Sequence, residues 1–178
     1  MRKTTVINIF GGPGSGKSTI AAGVFYELKK RSVSVELVRE YVKKWAWEGV
    51  LPNRLDQLYI SGKQTKAEHM LYGKVEFVVT DCPLQMGVFY DRKYNSLDTT
   101  EAAIDRFLKE TSHVNRVQFI TTRCKPYVAE GRYCSERAAL ETDGELLEFL
   151  QERGISPWRL EGDVDAQVQQ VLRHLILG

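Results

Sequence analysis

No stretch of this 178-residue chain approaches the roughly 20 consecutive apolar residues that span a bilayer, so no membrane partner is expected. Cysteine is scarce: Cys82, Cys124 and Cys134 are odd in number and form no C-x-x-C pair. Reduced thiols in a cytoplasmic compartment are therefore the expectation. The three histidines, His69, His113 and His174, lack ligand spacing, which argues against a zinc site. Charge of one sign is also missing. A net charge of +2 makes no case for nucleic acid by itself, although it permits a local basic groove. Linkers, repeats and low-complexity segments are absent, and 178 residues suffice for one domain with a proper core, so a single domain over 1–178 is expected. Arg2 and Lys3 precede a short strand that runs into a glycine-rich segment. A cleaved leader would destroy that segment, and none is expected.

What is present is concentrated in nine residues. Gly11 to Thr19 reads GGPGSGKST and matches G-x-x-x-x-G-K-[ST], with Gly11, Gly16, Lys17 and Ser18 at the fixed positions. The β-rich run Val6-Ile7-Asn8-Ile9-Phe10 precedes it, and a helical pattern from Ile20 to Phe25 follows. Glycines at 11, 12, 14 and 16 allow a fold tight enough for successive N–H groups to face phosphate oxygens. The helix starting near Lys17 adds the positive end of its dipole. The pattern assigns Gly12, Gly14, Ser15, Gly16, Lys17, Ser18 and Thr19 to a nucleoside triphosphate, ATP being the expected one. Lys17 reaches the β- and γ-phosphates, and the Ser18 hydroxyl joins the shell of Mg²⁺.

Strand and helix alternate along the rest. Strands are expected at 4–10, 33–39, 75–80, 117–121 and 156–160, and helices at 17–31, 55–71, 97–112, 137–153 and 163–175. Asp98 or Thr99 is the expected cap of the third helix, and Gly154 that of the C-terminus of the fourth. The order predicts an α/β fold, a three-layer P-loop sandwich around a central parallel sheet of about five strands. Ligands in such sheets lie beyond the carboxyl ends of the strands, which directs attention to strand-end residues.

Asp81 tips the apolar run VEFVVT and is expected at the metal with Ser18; a turn or helix-cap role is the plainer alternative. Glu40 ends the second strand and is the leading acceptor-side acid, able to take a hydroxyl proton during transfer. Asp81 could serve there instead, and spacing does not separate the two. The basic segment 122–137 contains Arg123, Lys125, Arg132 and Arg137, broken by Pro126 and Gly131. It is expected to act as a lid, with Arg132 catalytic and Arg137 on the nucleotide. Gln64, like Asp56 and Gln57, reads either as a base-edge contact or as an ordinary surface residue. Trp45 and Trp47, with Tyr41, Lys43 and Lys44, read either as a stacking surface for a base or single strand, or as an amphipathic helix with its tryptophans packed inward. The packed helix is the expectation taken.

In GGPGSGKST, the REY at 39–41, the Gln64 helix, VVTD at 78–81, KPYVAEGR at 125–132 and the EGD at 161–163, the chain resembles small P-loop kinases of the thymidylate-kinase and nicotinamide-riboside-kinase type, especially compact bacteriophage versions. The resemblance implies ATP- and Mg²⁺-dependent phosphoryl transfer to a nucleoside-type acceptor. By the same resemblance Glu40, Asp81 and Arg132 match the acceptor-side acid, the metal-side acid and a lid arginine. The chain departs from it at Cys82-Pro83, where many nucleotide kinases carry Asp-Arg. That departure turns the expected acceptor from a free monophosphate toward 5-hydroxymethyl-2'-deoxyuridine in phage DNA, a DNA-modification step in the host cytoplasm. A free nucleoside or monophosphate acceptor, and an ATPase or switch module, remain the alternatives. Against the switch stands the lack of an Asn-Lys-x-Asp guanine signature. The sequence leaves the oligomeric state open, a dimer included.

Overall fold

The computed structural model describes residues 3–53, 55–94 and 99–177, with the side chains of 176 and 177 left aside. Five strands, β1 (Thr5–Phe10), β2 (Val35–Val38), β3 (Phe77–Thr80), β4 (Asn115–Thr121) and β5 (Trp158–Leu160), form one sheet in the order β2-β3-β1-β4-β5. Every pairing is parallel, as expected for an α/β sandwich. The helices are α1 (Lys17–Lys30), α2 (Lys43–Glu48), α3 (Asp56–His69), α4 (Leu84–Lys93), α5 (Thr99–Glu110), α6 (Glu136–Glu152) and α7 (Val164–Leu177).

Alternation along β1 sorts the two faces. Ile7 and Ile9 point into a core completed by Ile20, Val24 and Leu28 of α1 and by Val168, Val171 and Leu172 of α7. Ile20, Val24 and Leu28 recur every four residues, the period that lines one helix face. Phe10 enters the opposite core with Leu84, Val88 and Phe89 of α4 and Leu146, Phe149 and Leu150 of α6. Burying each such side chain contributes about 1.5–3 kcal/mol, so the two cores hold the layers to the sheet.

A helix at the tryptophans was expected, but α4 was not. Pro83 stands just before α4 with an extended ψ of 147°, and the helix starts at once. Its apolar residues at 84, 86, 88 and 89 mix a strand period with a helical one, which hides the helix from periodicity. The six-residue α2 is too short to show a period, and it buries no residue, so its tryptophans are not packed inward. Trp47 is 66% exposed. Gly154 follows α6 at φ 66°, and Ile155 N–H closes back on Leu150 C=O at 2.8 Å, the left-handed ending its glycine foretold. Of the two caps weighed for α5, Asp98 lies outside the described residues and Thr99 is the helix's first residue. Among the described residues no helix is long and apolar enough to cross a membrane.

The strand order reverses at β1, which has β3 on one side and β4 on the other. A crevice at such a switch point, beyond the carboxyl ends of the strands, is where α/β sheets take ligands. The segment 11–16 leaves β1 at that point.

Candidate active site

The loop after β1 turns into α1 through Gly16, whose φ of 101° is left-handed and disfavours any side chain. Thr19 and Ile20 N–H groups both close on Gly16 C=O at 3.0 Å, starting the helix. Lys17 is buried, and its Nζ donates to Gly12 C=O at 2.9 Å across the loop. The amine is thus held over the concavity that anion-binding N–H groups make. Ser18 and Thr19 sit in the first turn of α1, half-buried and exposed respectively. Ser15 points the other way: its hydroxyl lies 3.0 Å from Thr121 Oγ1 at the end of β4. Gly12 differs from the simple cradle, because its N–H donates to Asp143 Oδ1 at 2.8 Å instead of facing an open phosphate site.

The strand tips supply acids. Asp81, directly after β3, is 2% exposed, and its Oδ1 accepts from Glu40 N–H at 2.8 Å. That bond ties the tip of β2 to the tip of β3 and fixes where Glu40 begins. Burial raises the Glu40 carboxyl above its ordinary range, Lys17 opposes the rise, the neighbouring Asp81 charge adds to it, and Lys43 and Arg132 oppose it further. One further acid and three bases therefore bear on the Glu40 carboxyl. The tips bring together Lys17, Glu40, Asp81 and Arg132, four residues singled out from the sequence. Ser18 at the start of α1 and Asp81 directly after β3 carry hard oxygen donors. They fit Mg²⁺, which takes one or two protein ligands and completes its shell with phosphate and water.

Beside them opens a cleft of about 590 Å³. Pro13 of the phosphate loop and Glu40 mark its inner end; Val42, Lys43 and Ala46 of the α2 region, Tyr90 and Tyr94 of the α4 region, and residues 131–134 form its walls. A side pocket of about 30 Å³ continues below between Glu40, Gln57, Ser61, Gln64 and Tyr90. Segment 122–137 reaches the cleft through residues 131–134. Trp47 lies against Gly131, and Tyr133 Oη donates to Val50 C=O at 2.9 Å. Arg132 lines the cleft with its guanidinium over the Tyr127 ring at 5.5 Å and its Nε on Val128 C=O at 2.6 Å.

Arg137, expected on the nucleotide, is the second residue of α6, its side chain 89% exposed and paired with Glu141 at 3.5 Å. Other expectations are corrected. Gln64 is neither a surface residue nor a free base-edge contact. It is buried, with its oxygen accepting from Tyr41 N–H at 3.2 Å and its nitrogen 3.4 Å from Thr80 Oγ1. Gln57 spends its amide nitrogen on Ser61 and Gly87, and Asp56 accepts from Asn53 N–H at the start of α3. The aromatic cluster is an outer surface. Trp45 stacks on Tyr59 at 6.2 Å, Tyr41 meets both edge-on, and Lys44 and Lys63 lie over the Tyr41 and Tyr59 rings.

Two residues in contact with the loop carried no sequence signal of that role. Arg123 was one base among several, and Asp143 sits inside the charged helix α6. They meet at 2.6 Å against the phosphate loop.

A family model described as an AAA domain matches residues 6–167. No curated protein sequence matches the chain. Among solved structures, deoxyadenosine kinase from M. mycoides, with dCMP and dCDP bound, is 17% identical with a TM-score of 0.64, covering 97% of this chain and 100% of that one. APS kinase CysC from Mycobacterium tuberculosis, in complex with AMPPNP and APS, is 14% identical with a TM-score of 0.57 over 99% of each chain. At such identities the likeness establishes the fold.

Proposed function

The chain belongs to the AAA domain family, and from that premise we propose that it transfers the γ-phosphoryl group of ATP to a hydroxyl of a nucleoside-type acceptor. One observation carries the reading: Glu40 and Pro13 of the phosphate loop line the same 590 Å³ cleft, so space for an acceptor opens beside the loop at a carboxylate. An ATPase with no second substrate has no need of that cleft. The folds of a deoxyadenosine kinase and an APS kinase support the same reading by analogy.

In this mechanism the loop N–H groups and Lys17 gather the β- and γ-phosphate oxygens, with Ser18 and Asp81 holding Mg²⁺. Mg²⁺, when bound, neutralises charge on the phosphates. The acceptor hydroxyl lies in the cleft against Glu40, whose carboxylate takes its proton as the new O–P bond forms and the bond to the β-phosphate oxygen breaks, leaving ADP. The raised affinity of Glu40 for a proton suits it to that task. Segment 122–137 acts as the lid of a single domain over 1–178, Arg132 bringing positive charge to the group in transit.

The finer acceptor proposed is 5-hydroxymethyl-2'-deoxyuridine in phage DNA, with a flipped or single-stranded base entering the cleft. Its support is the aromatic surface of Tyr41, Trp45 and Tyr59, flanked by Lys44 and Lys63, which suits a strand beside the cleft. The family description keeps an ATPase or switch as the second reading.

The test is incubation with γ-labelled ATP and a panel of nucleosides, monophosphates, and DNA with and without hydroxymethyluracil. Label on hydroxymethyluracil DNA is expected; label only on a free nucleoside or monophosphate moves the acceptor there, and vigorous hydrolysis that no acceptor stimulates favours the switch. Glu40→Gln should lower kcat on the order of 10²-fold while ATP affinity stays near wild type. Weakened ATP binding alone would remove Glu40 from the acceptor side.

A further inference from the structure

We infer that Asp143 and Arg123 form a positioning pair that sets the phosphate loop for the triphosphate, an inference that rests on the proposed binding of ATP. A carboxylate beside an anion-binding loop is an unfavourable neighbour for a polyphosphate, so its presence needs a physical reason. Asp143 Oδ1 accepts from Gly12 N–H at 2.8 Å, and Oδ2 accepts from Arg123 Nε at 2.6 Å. Arg123 Nη2 in turn donates to Pro13 C=O and Ala139 C=O, each at 2.9 Å. The guanidinium thus neutralises the acid and grips the loop at the next residue. Three segments remote in sequence meet here: the loop, the root of 122–137, and α6.

The approach is close enough that a Cβ on Gly12 would overlap the Asp143 carboxylate, so a side chain here would have to displace it. Gly12 is also the residue whose carbonyl holds Lys17 Nζ. It is therefore fixed at both ends, its N–H by Asp143 and its C=O by Lys17. Asp143 acts on the reaction through Gly12 and Lys17, without touching the phosphates, and Arg123 keeps Asp143 from repelling them.

The arrangement predicts an asymmetric, non-additive response. Arg123→Ala leaves a bare carboxylate against the loop and should weaken ATP about tenfold or more, as removing one partner of a part-buried pair does. It should weaken inorganic tripolyphosphate equally, because the effect arises at the loop and not at the base. Adding Asp143→Ala to Arg123→Ala should restore several-fold of that loss. Asp143→Ala alone should lower kcat several-fold with ATP affinity within about threefold, since Lys17 loses its aim while no repulsive charge is left.

The measurements are calorimetric titrations of ATP and of tripolyphosphate, with thermal melts of each variant beside them. A purely structural pair would lower the melting temperatures and leave both affinities unchanged, which overturns the inference. So would a double variant no better than Arg123→Ala, or a loss seen with ATP and not with tripolyphosphate. If the acceptor panel gains no label, these titrations still decide the pair. If transfer proceeds and the titrations are flat, the inference falls alone. A wild-type protein that binds neither ligand overturns both.

Discussion

Two part-buried charge clusters stand at opposite ends of the same sheet, and they are finished differently. At the amino ends, Glu68, Tyr72 and Arg116 complete one another. Tyr72 Oη donates to Glu68, Arg116 Nη2 donates to Tyr72 Oη at 2.9 Å, and Arg116 Nη1 reaches Thr111 C=O at 3.0 Å. At the carboxyl ends, Lys17, Asp81 and Arg132 bear on the Glu40 carboxyl, and Glu40 and Arg132 line a cleft large enough for a second molecule. Burial raises the carboxyl of both Glu68 and Glu40. A perturbed acid alone therefore does not mark a site; the space beside it does.

The sharpest way to break the contrast is to remove one charge from each end. Lys17→Ala should reduce phosphoryl transfer on the order of 10²–10³-fold, as loss of one transition-state donor does, with an unchanged circular dichroism spectrum and melt. Retained activity would end the assignment of the phosphate loop. Arg116→Ala should do the reverse. Glu68 loses its cation and Tyr72 its donor, which costs about 3 kcal/mol and lowers Tm by about 6–12 °C, with kcat at low temperature unchanged.

The smallest effect separates the ends by pH. Glu68 has its folded pKa raised above 4.5, chiefly by burial, against a hydrogen bond from Tyr72 and the Arg116 charge. A raised acid contributes stability that is fully present below its unfolded pKa and is lost as pH rises through the folded pKa. Denaturant melts across that window should therefore show wild type losing stability relative to Glu68→Gln as pH rises above 4.5. A pH-independent difference would show that Glu68 titrates alike in both states.

How far the site was legible follows from where its parts lie. The phosphate loop is contiguous, so its glycines, Lys17 and Ser18 announce themselves within nine residues. Glu40 and Asp81 could be placed at the strand tips because an acid after an apolar strand has a position fixed by strand direction. Arg137 was read as part of the loop because a loop's composition does not say at which residue a helix begins; Ser135 caps α6 and makes Arg137 its second residue. Gln64 misled because its burial depends on Tyr41 and Thr80, which only the packing of α3 against the strand tips brings near. The exposure of Trp47 is likewise decided by its seat on Gly131, 84 positions away in the chain.

By itself the sequence determined the elements and the chemistry of the loop, because hydrophobic period and glycine spacing act over a few residues. Tertiary structure alone decided which distant groups complete them. Asp143 reaches Gly12 across 131 positions of chain and Arg123 reaches Pro13 across 110, and the cleft exists only where α2, α4 and residues 131–134 face one another. Short-range sterics write themselves into local sequence; charge pairing and cavity shape depend on distances that folding sets.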